Sequence, residues 1–306
     1  MKKFISKIFL FSLLFFVFDK VFLIVRYFAP TLEVDKRLEV LLQGKMDADL
    51  LIFGSSIGAT GIIATELSND LNIKAYNLSY PGSNIDFHEY LLKQLLQNGN
   101  KKPKTVLLAV DEASELIENK SIKFRFERLY PLVKYPKVRS EMIKRGEKNK
   151  ILSELFVLYQ LNKSNFDLRK RHFTLHDSIM PCGSMPTYAI TNNFPSIYPL
   201  NNSNYNKSKE SKLLLSKFKS FIDLCLNNEI QLVLVYPPKY KSRNKSFEKR
   251  IYEIAENKVR YFTFDDENLI YRDKTYYNDA SHLRTNGAII FSRDIVVYLK
   301  MQKLVQ

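Results

Sequence analysis

The sequence predicts an α/β fold, in which helices cover both faces of a parallel sheet, behind one apolar N-terminal helix. Three observations predict it. After residue 48, short apolar strands alternate with amphipathic helices, as in proteins built on parallel sheets. Residues 8–28 are almost entirely apolar. The 306 residues include 22 Phe and 18 Tyr, which supplies a sizeable core and argues against disorder.

The N-terminal apolar run, residues 8–28, is broken near its middle by Asp19 and Lys20. A helix over this run would rise about 30 Å, the thickness of a bilayer core, although two charges are costly there unless they are paired. No small-residue cleavage site ends the run. We therefore predict an uncleaved membrane anchor over residues 1–30. An interfacial helix and a signal peptide with an atypical site are the alternatives.

Charge asymmetry predicts the orientation of this anchor. Lys2, Lys3 and Lys7 lie at its N-terminal end, and positive residues tend to stay on the cytoplasmic side of a membrane. Everything after Arg26 would then form the extracytoplasmic domain, periplasmic or extracellular, of a single-pass membrane protein.

The alternation of strands and helices continues to the C-terminus with one long interruption. Predicted strands cover residues 49–53, 73–78, 104–110, 230–236 and 259–264. Predicted helices cover residues 58–71, 86–96, 208–226, 246–257 and 286–300, with a loop at 278–284 before the last of them. From about 112 to 205 the alternation lapses, apart from helical stretches near 136–146 and 151–162, and we interpret this part as an insertion or cap. The predicted domains are the anchor, 1–30, and one α/β domain, 31–306.

The chain is basic, with 47 Lys and Arg against 32 Asp and Glu and a formal charge of +15. Such a charge favours anionic partners, although a composition rich in Lys and Tyr and without Trp is also typical of low-GC genomes. Residues 120–150 combine a high basic charge with aromatic side chains. This stretch fits a solvated face, or a docking patch for lipid head groups or an acidic glycan. A tethered, outward-facing domain argues against nucleic acid.

Neither the cysteines nor the histidines predict a metal or an organic cofactor. Cys182 and Cys225 lack metal-ligand spacing, and no acidic residue separates His172 from His176 as in a metalloprotease motif. His88 falls in a helical pattern, where we expect a surface position.

Polar residues follow the first predicted strand directly. Gly54-Ser55-Ser56-Ile57-Gly58 forms the turn into a helix, and open parallel sheets bind ligands at the carboxyl ends of their strands. Ser56 would expose its hydroxyl there, and its backbone N–H, at a helix N-terminus, could stabilise an oxyanion. A serine that merely caps the helix is the alternative.

Two further polar clusters fall near the same edge of the sheet. Asp279 and His282 precede the last helix, and their spacing lets the carboxylate hold one imidazole nitrogen while the other takes a proton from a serine. A loop histidine with a capping aspartate is the alternative. Asn77 to Gly82 follows the second strand, where the glycine N–H can act as a second oxyanion donor or the segment can be a simple turn.

Together these clusters resemble the SGNH/GDSL hydrolase superfamily. Strand-Gly-x-Ser56-helix matches the family's first block, Asn77–Gly82 its second, and Asp279-x-x-His282 before a terminal helix its fifth. The resemblance implies a three-layer α/β/α flavodoxin-like SGNH hydrolase fold with a parallel sheet. It also implies Ser56 as nucleophile, His282 and Asp279 as base and orienter, and the N–H groups of Ser56 and Gly82 as oxyanion donors.

The resemblance, over about residues 48–300, has two departures. Ser55 replaces the aspartate of the usual Gly-Asp-Ser, and the third strand ends in Asp111 and Glu112 where the family's asparagine donates to the oxyanion. A carboxylate there would repel an oxyanion unless it turned away. Both changes, like the anchor, resemble the family's membrane-anchored branch associated with acyl transfer, which includes proteins of alginate-type O-acetylation and of teichoic-acid D-alanylation.

The function predicted from this resemblance is that of a membrane-anchored serine esterase or O-acyltransferase, with acetyl as the expected group. Its expected substrate is a cell-envelope or exported polysaccharide. Its expected partners are an acylated glycan or acyl donor, the membrane and a multi-spanning acyltransferase. The alternative is a non-catalytic accessory protein of the same fold that binds a glycan or a membrane acyltransferase.

Overall fold

The structure is a computed structural model that describes residues 1–167, 169, 178–189, 194–195, 197–200, 204–256 and 258–305. The chain forms two compact units. Unit 1 consists of residues 1–39 and 125–172, and unit 2 of residues 40–124 and 173–306. An anchor that ends at residue 30 and an insertion from about 112 to 205 remain predictions.

Unit 2 contains a five-stranded parallel sheet with the order β2-β1-β3-β4-β5. The strands are β1 (Leu50–Gly54), β2 (Ala75–Asn77), β3 (Thr105–Ala109), β4 (Gln231–Tyr236) and β5 (Arg260–Thr263). This order is that of flavodoxin-like sheets, in which the winding direction reverses between β1 and β3. Gly54 pairs with Ala109, and Ala109 with Val235. The predicted α/β class with a flavodoxin-like parallel sheet is confirmed.

Helices make up most of the rest of the described chain. They are α1 (Lys2–Asp19), α2 (Leu23–Leu32), α3 (Arg37–Leu42), α4 (Ser56–Gly61), α5 (Ala64–Leu71), α6 (Ile85–Gln97), α7 (Glu112–Glu115), α8 (Pro136–Lys144), α9 (Lys150–Leu155), α10 (Val157–Gln160), α11 (Lys212–Asn227), α12 (Lys245–Ala255) and α13 (Thr285–Met301). Single short turns of helix lie at Lys20–Phe22, Phe126–Arg128, Tyr130–Leu132, Lys163–Phe166, Lys207–Lys209, Leu269–Arg272 and Lys274–Tyr276.

Both faces of the sheet are covered by helices of unit 2. Leu50 and Ile52 of β1 belong to a buried cluster that includes Phe291 of α13. Phe53, on the opposite face, contacts Phe221 of α11 with ring centroids 5.5 Å apart. Because neighbouring strand residues face opposite sides, α13 with α5 covers one face and α11 with α6 the other.

The predicted helix 58–71 is two helices, α4 and α5, separated by Ile62 and Ile63 in extended conformations. Distant residues of unit 2 satisfy the buried backbone at this break. Ser292 Oγ accepts from the Ile63 N–H at 2.8 Å, and the Asn77 amide donates to the Ile62 carbonyl at 2.9 Å. Such long-range hydrogen bonds override the local helical pattern.

The predicted loop 278–284 contains a short antiparallel hairpin of β6 (Tyr277–Asp279) and β7 (His282–Leu283). Tyr277 and Leu283 are buried in the same cluster as α13, and this burial fixes the pairing. A Cβ at Gly287 would lie 2.4 Å from the Tyr276 carbonyl oxygen, so this glycine lets α13 start directly against the hairpin.

Unit 1 begins with the apolar N-terminus. α1, the turn at Lys20–Phe22 and α2 form one continuous helical segment, Lys2–Leu32, that is long and apolar enough to cross a membrane. The sequence predicts a break at Ala29-Pro30-Thr31, but α2 ends at Leu32. Pro30 has no N–H to donate within the helix, but the helix continues for two residues beyond it.

Candidate active site

Ser56 is the first residue of α4 and follows directly after the end of β1. β1 and β3 flank the point where the winding reverses, which is where flavodoxin-like sheets bind ligands. The turn is tight: a Cβ at Gly54 would lie 2.8 Å from Ala109 Cβ, and one at Gly58 would lie 2.7 Å from Ser79 Oγ. These two glycines therefore let α4 start against β3 and the loop after β2.

His282 and Asp279 reach the same place from the β6–β7 hairpin. His282 Nε2 lies 2.8 Å from Ser56 Oγ, and His282 Nδ1 lies 2.9 Å from each carboxylate oxygen of Asp279. The side chains of His282 and Asp279 are 27% and 33% exposed, so a substrate can reach this end of the hairpin. The structure thus joins the three predicted side chains in one hydrogen-bonded chain. Their catalytic roles remain a prediction.

Asp279 is also held by its own backbone surroundings. Its Oδ1 accepts from the N–H groups of Ser281 at 2.7 Å and His282 at 3.0 Å. Burial would raise the pKa of Asp279, but the hydrogen bond and charge of His282, with these N–H groups, hold that pKa below its ordinary 3.8. The carboxylate is therefore ionised at neutral pH. It favours the tautomer in which Nδ1 carries the proton and Nε2 faces Ser56 as an acceptor.

The loop that carries Gly82 is tied to α4 by Asn77. The buried Asn77 amide donates to the carbonyls of Gly58 and Ile62, each at 2.9 Å, and its oxygen accepts from the Ser79 N–H at 2.9 Å. Gly82 has a φ of 70°, which strains any residue with a Cβ. Asn77 and Gly82 therefore fix the shape of the turn in which the second oxyanion donor is predicted.

His88 is fully buried, so the expected surface position is wrong. Ser83 Oγ donates to the Tyr80 carbonyl at 2.6 Å and accepts from His88 Nε2 at 2.8 Å, since one hydroxyl proton cannot serve both. Burial lowers the pKa of His88 to about 3, so the ring is neutral. His88 thus ties α6 to the turn that contains Gly82. The burial of this helix on nearly all sides could not be read from local periodicity.

With His88→Gln, the free energy of unfolding is expected to fall less steeply as the pH is lowered. In the wild type, the unfolded chain takes up a proton at this site below pH 6.5 while the native ring stays neutral until about pH 3. The free energy of unfolding should therefore fall by about 1.4 kcal/mol per pH unit in this window because of His88 alone.

His88→Gln keeps an N–H donor for Ser83 but cannot titrate, so its stability should fall less steeply with acid. Denaturant unfolding of the detergent-solubilised full chain between pH 4.5 and 6.5 measures both slopes. Equal slopes for the two proteins would contradict the buried, neutral imidazole.

Asp111 follows β3, at the position where the resemblance described above predicts an asparagine that donates to an oxyanion. It is buried and forms an ion pair with Lys239, with Nζ 2.5 Å from Oδ1. The Asp111 N–H donates to Glu115 Oε2 at 2.7 Å. The ion pair compensates the negative charge that would repel an oxyanion. Lys239 follows β4, 128 residues along the chain, and a pairing at such a distance has no local sequence signal.

A small pocket lies at the carboxyl ends of β3 and β4. Charged and aromatic side chains line it, among them Asp111, Glu112, Tyr236, Lys239, Arg243 and Phe264. Ser56 and His282 do not line it. In the part of the chain that the structure describes, no three His, Cys, Asp or Glu side chains are grouped to hold a metal ion. His172 and His176 lie outside the described residues.

Comparison with known proteins gives little to set beside this geometry. No family model and no curated protein matches the chain. Among solved structures, the chain is similar to a candidate acylhydrolase from Bacteroides fragilis, with a TM-score of 0.38 and 9% identity over 89% of this chain and 96% of that one. A likeness at that score and identity carries no argument about activity.

Proposed function

We propose that the chain is a membrane-anchored serine esterase or O-acyltransferase for acyl groups, acetyl first, on cell-envelope or exported polysaccharide. The observation that carries the proposal is the 2.8 Å contact between Ser56 Oγ and His282 Nε2, with Asp279 on the other ring nitrogen. A serine becomes a nucleophile when a base takes its proton and a third group orients that base. Ser55 rather than Ser56 is the cap of α4, so a capping role explains neither the position of Ser56 nor the imidazole beside it.

Each step of the reaction uses these three side chains. Ser56 Oγ attacks the acyl carbonyl carbon while His282 Nε2 takes the hydroxyl proton, and Asp279 stabilises the imidazolium. Collapse of the tetrahedral intermediate breaks the ester C–O bond, and His282 gives its proton to the leaving alcohol. Water then attacks the acyl-serine in hydrolysis, or a glycan hydroxyl attacks it in transfer, with His282 again as the base.

The backbone N–H groups of Ser56 and Gly82 serve as the oxyanion donors in this proposal. Ser56 opens α4, and the first N–H groups of a helix have no acceptor within it. One donor of this kind is typically worth about 3–4 kcal/mol, or roughly a hundred- to thousandfold in rate. Because Asp111 stands in place of the third donor, we expect slow cleavage of generic esters.

The proposed location follows from the helical segment Lys2–Leu32. With Lys2, Lys3 and Lys7 in the cytoplasm, unit 2 lies outside the membrane, where envelope glycans are accessible. The small pocket beside β3 and β4 is lined by charged side chains of both signs and by aromatic rings, which suit a polar group such as a glycan hydroxyl better than a long acyl chain. A multi-spanning acyltransferase is the partner that would supply acyl groups across the bilayer.

Covalent labelling tests the nucleophile directly. A fluorophosphonate probe should modify the full chain in detergent, and Ser56→Ala should abolish the modification. Ser55→Ala is the matched control, because Ser55 is the adjacent serine but is buried, and this variant should still be labelled. With labelling established, a series of p-nitrophenyl esters should show acetate as the fastest substrate.

Two results would oppose the enzyme. Labelling that persists in Ser56→Ala would place the reactive serine elsewhere. The second result combines two observations: the wild-type chain is folded by circular dichroism but is never labelled, and a Ser56→Ala strain keeps the acetyl groups on its polysaccharide. Together they would favour the non-catalytic accessory protein.

A further inference from the structure

Unit 1 exposes apolar side chains outside the N-terminal helix. Six side chains of residues 149–166 are between 36% and 66% exposed: Ile151, Leu152, Leu155, Leu158, Tyr159 and Phe166. They lie within a stretch that includes α9, α10 and the short turn at Lys163–Phe166. Several exposed apolar side chains within so short a stretch of chain indicate a site of interaction.

Residues 149–166 are fastened to the N-terminal helix by the two charges that interrupt its apolar run. The Asp19 carboxylate accepts from the N–H groups of Val157 at 2.7 Å and Leu158 at 2.8 Å. Lys20 Nζ donates to the Leu155 carbonyl at 2.7 Å and pairs with Asp19 at 3.0 Å. The two charges thus satisfy backbone groups where α9 ends and α10 begins. In a medium without water, such groups need partners within the protein.

Aromatic contacts extend the attachment on both sides of Asp19. Phe156 packs against Phe15 and Phe16, with ring centroids 5.9 Å and 6.3 Å apart. Phe166 packs against Phe22 at 6.0 Å. Phe15 and Phe16 lie about one helical turn before Asp19, and Phe22 lies about one turn after it. Residues 149–166 therefore contact the helical segment both before and after its charged pair.

The other side chains of α1 are exposed. Asp19 is the one buried residue among the 18 residues of α1, Lys2–Asp19. Eighteen helical residues rise about 27 Å, close to the thickness of a hydrocarbon core. If α1 spans the bilayer, with the Lys7 side chain extending back to the cytoplasmic head groups, the Asp19–Lys20 pair lies at the far boundary and residues 149–166 lie there with it.

We infer that residues 149–166 form a second membrane-contacting element, seated in the bilayer interface beside the anchor, with lipid as the occupant of its apolar surface. The inference rests on the anchor of the proposed function. Phe156 and Phe166 join this stretch to the N-terminal helical segment, whose own surface is lipid-facing in that proposal. Interfacial segments bury apolar side chains about 5–10 Å into the boundary of head groups and acyl chains, a depth that matches the contact of Phe156 one turn inside Asp19.

The charges beside this surface fit an anionic leaflet. Lys150 and Lys163 are exposed, against one exposed acid, Glu154, within residues 149–166. Basic residues at the surface are attracted to anionic head groups within a Debye length. Tyr159, at the rim of the apolar set, is a residue type enriched at the interface between membrane and water.

Tryptophan quenching tests this element, because the chain contains no Trp and a single introduced indole reports its own depth. The full chain is reconstituted in vesicles of phosphatidylcholine and phosphatidylglycerol, with and without brominated acyl chains. Leu155→Trp probes residues 149–166, Leu158→Trp repeats the measurement at a second position, and Leu13→Trp probes the anchor. Leu213→Trp, on α11 of unit 2, is the matched reference, since Leu155 and Leu213 are 48% and 52% exposed.

Brominated lipid should quench the tryptophan fluorescence of Leu155→Trp, Leu158→Trp and Leu13→Trp. The emission maximum of each should lie at a shorter wavelength than that of Leu213→Trp. If Leu13→Trp is quenched while Leu155→Trp and Leu158→Trp behave like Leu213→Trp, the anchor stands and the second element is refuted. If Leu13→Trp is also unquenched, both the anchor and the second element fail. Circular dichroism of each variant excludes misfolding as the cause.

Discussion

Replacement of Ser56 by alanine is expected to lower kcat for an acetyl ester by a factor of about 10⁴ to 10⁶, as the loss of a serine nucleophile does in enzymes of this chemistry. The residue supplies the oxygen that forms the acyl intermediate, and Oγ has no substitute within reach of His282 Nε2 in the described contacts. The fold should survive, because Ser56 makes its side-chain contact at the partly exposed end of the site. Steady-state hydrolysis of p-nitrophenyl acetate by wild type and variant measures the change.

The double variant Ser56→Ala/His282→Ala gives the sharper control. A nucleophile and its base act as one unit, so removal of both should cost little more than removal of Ser56 alone. Losses that multiply, one factor for each substitution, would mean that Ser56 and His282 contribute separately. The 2.8 Å contact would then be structural and the proposed mechanism would fall.

Much of the fold was predictable because the central strands β1 and β3 are buried throughout. β1 and β3 show no exposed position, and continuous runs of four or five apolar residues next to a glycine or a charged turn signal such strands. The breaks were not predictable. Helix 58–71 divides at Ile62 and Ile63 because Ser292 and Asn77, far along the chain, satisfy the backbone there. Local periodicity contains no information about those partners.

The candidate site, like the fold, was predictable from the sequence in part. Ser56, Asp279 and His282 stand out in the sequence because each lies in a short polar motif beside an apolar element. The residues that support them do not. Lys239 compensates Asp111 and His88 holds Ser83, yet each looks like an ordinary surface or helix residue until the fold brings its partner close.

Asparagine at position 279 is expected to reduce kcat by about 10⁴ while leaving the fold intact, through the wrong histidine tautomer. The geometry fixes how the amide would sit. Oδ1 accepts from the N–H groups of Ser281 and His282, so the amide oxygen stays there and the NH₂ group faces His282 Nδ1. His282 Nδ1 lies 2.9 Å from both the Oδ1 and the Oδ2 positions, so the new NH₂ donor at the Oδ2 position disfavours a proton on Nδ1. The tautomer with the proton on Nε2, which cannot act as the base for Ser56, becomes more populated.

Asn278→Ala separates this effect from a general disturbance of the hairpin. Asn278 reaches Asp279 Oδ2 only at 3.4 Å, so its loss should leave the tautomer and most of the activity in place. The measurement is kcat for p-nitrophenyl acetate, together with fluorophosphonate labelling rates, since both need Nε2 as a proton acceptor. An Asp279→Asn variant as active as Asn278→Ala would show that Asp279 does not set the tautomer of His282, and that the hydrogen-bonded chain from Ser56 ends functionally at the imidazole.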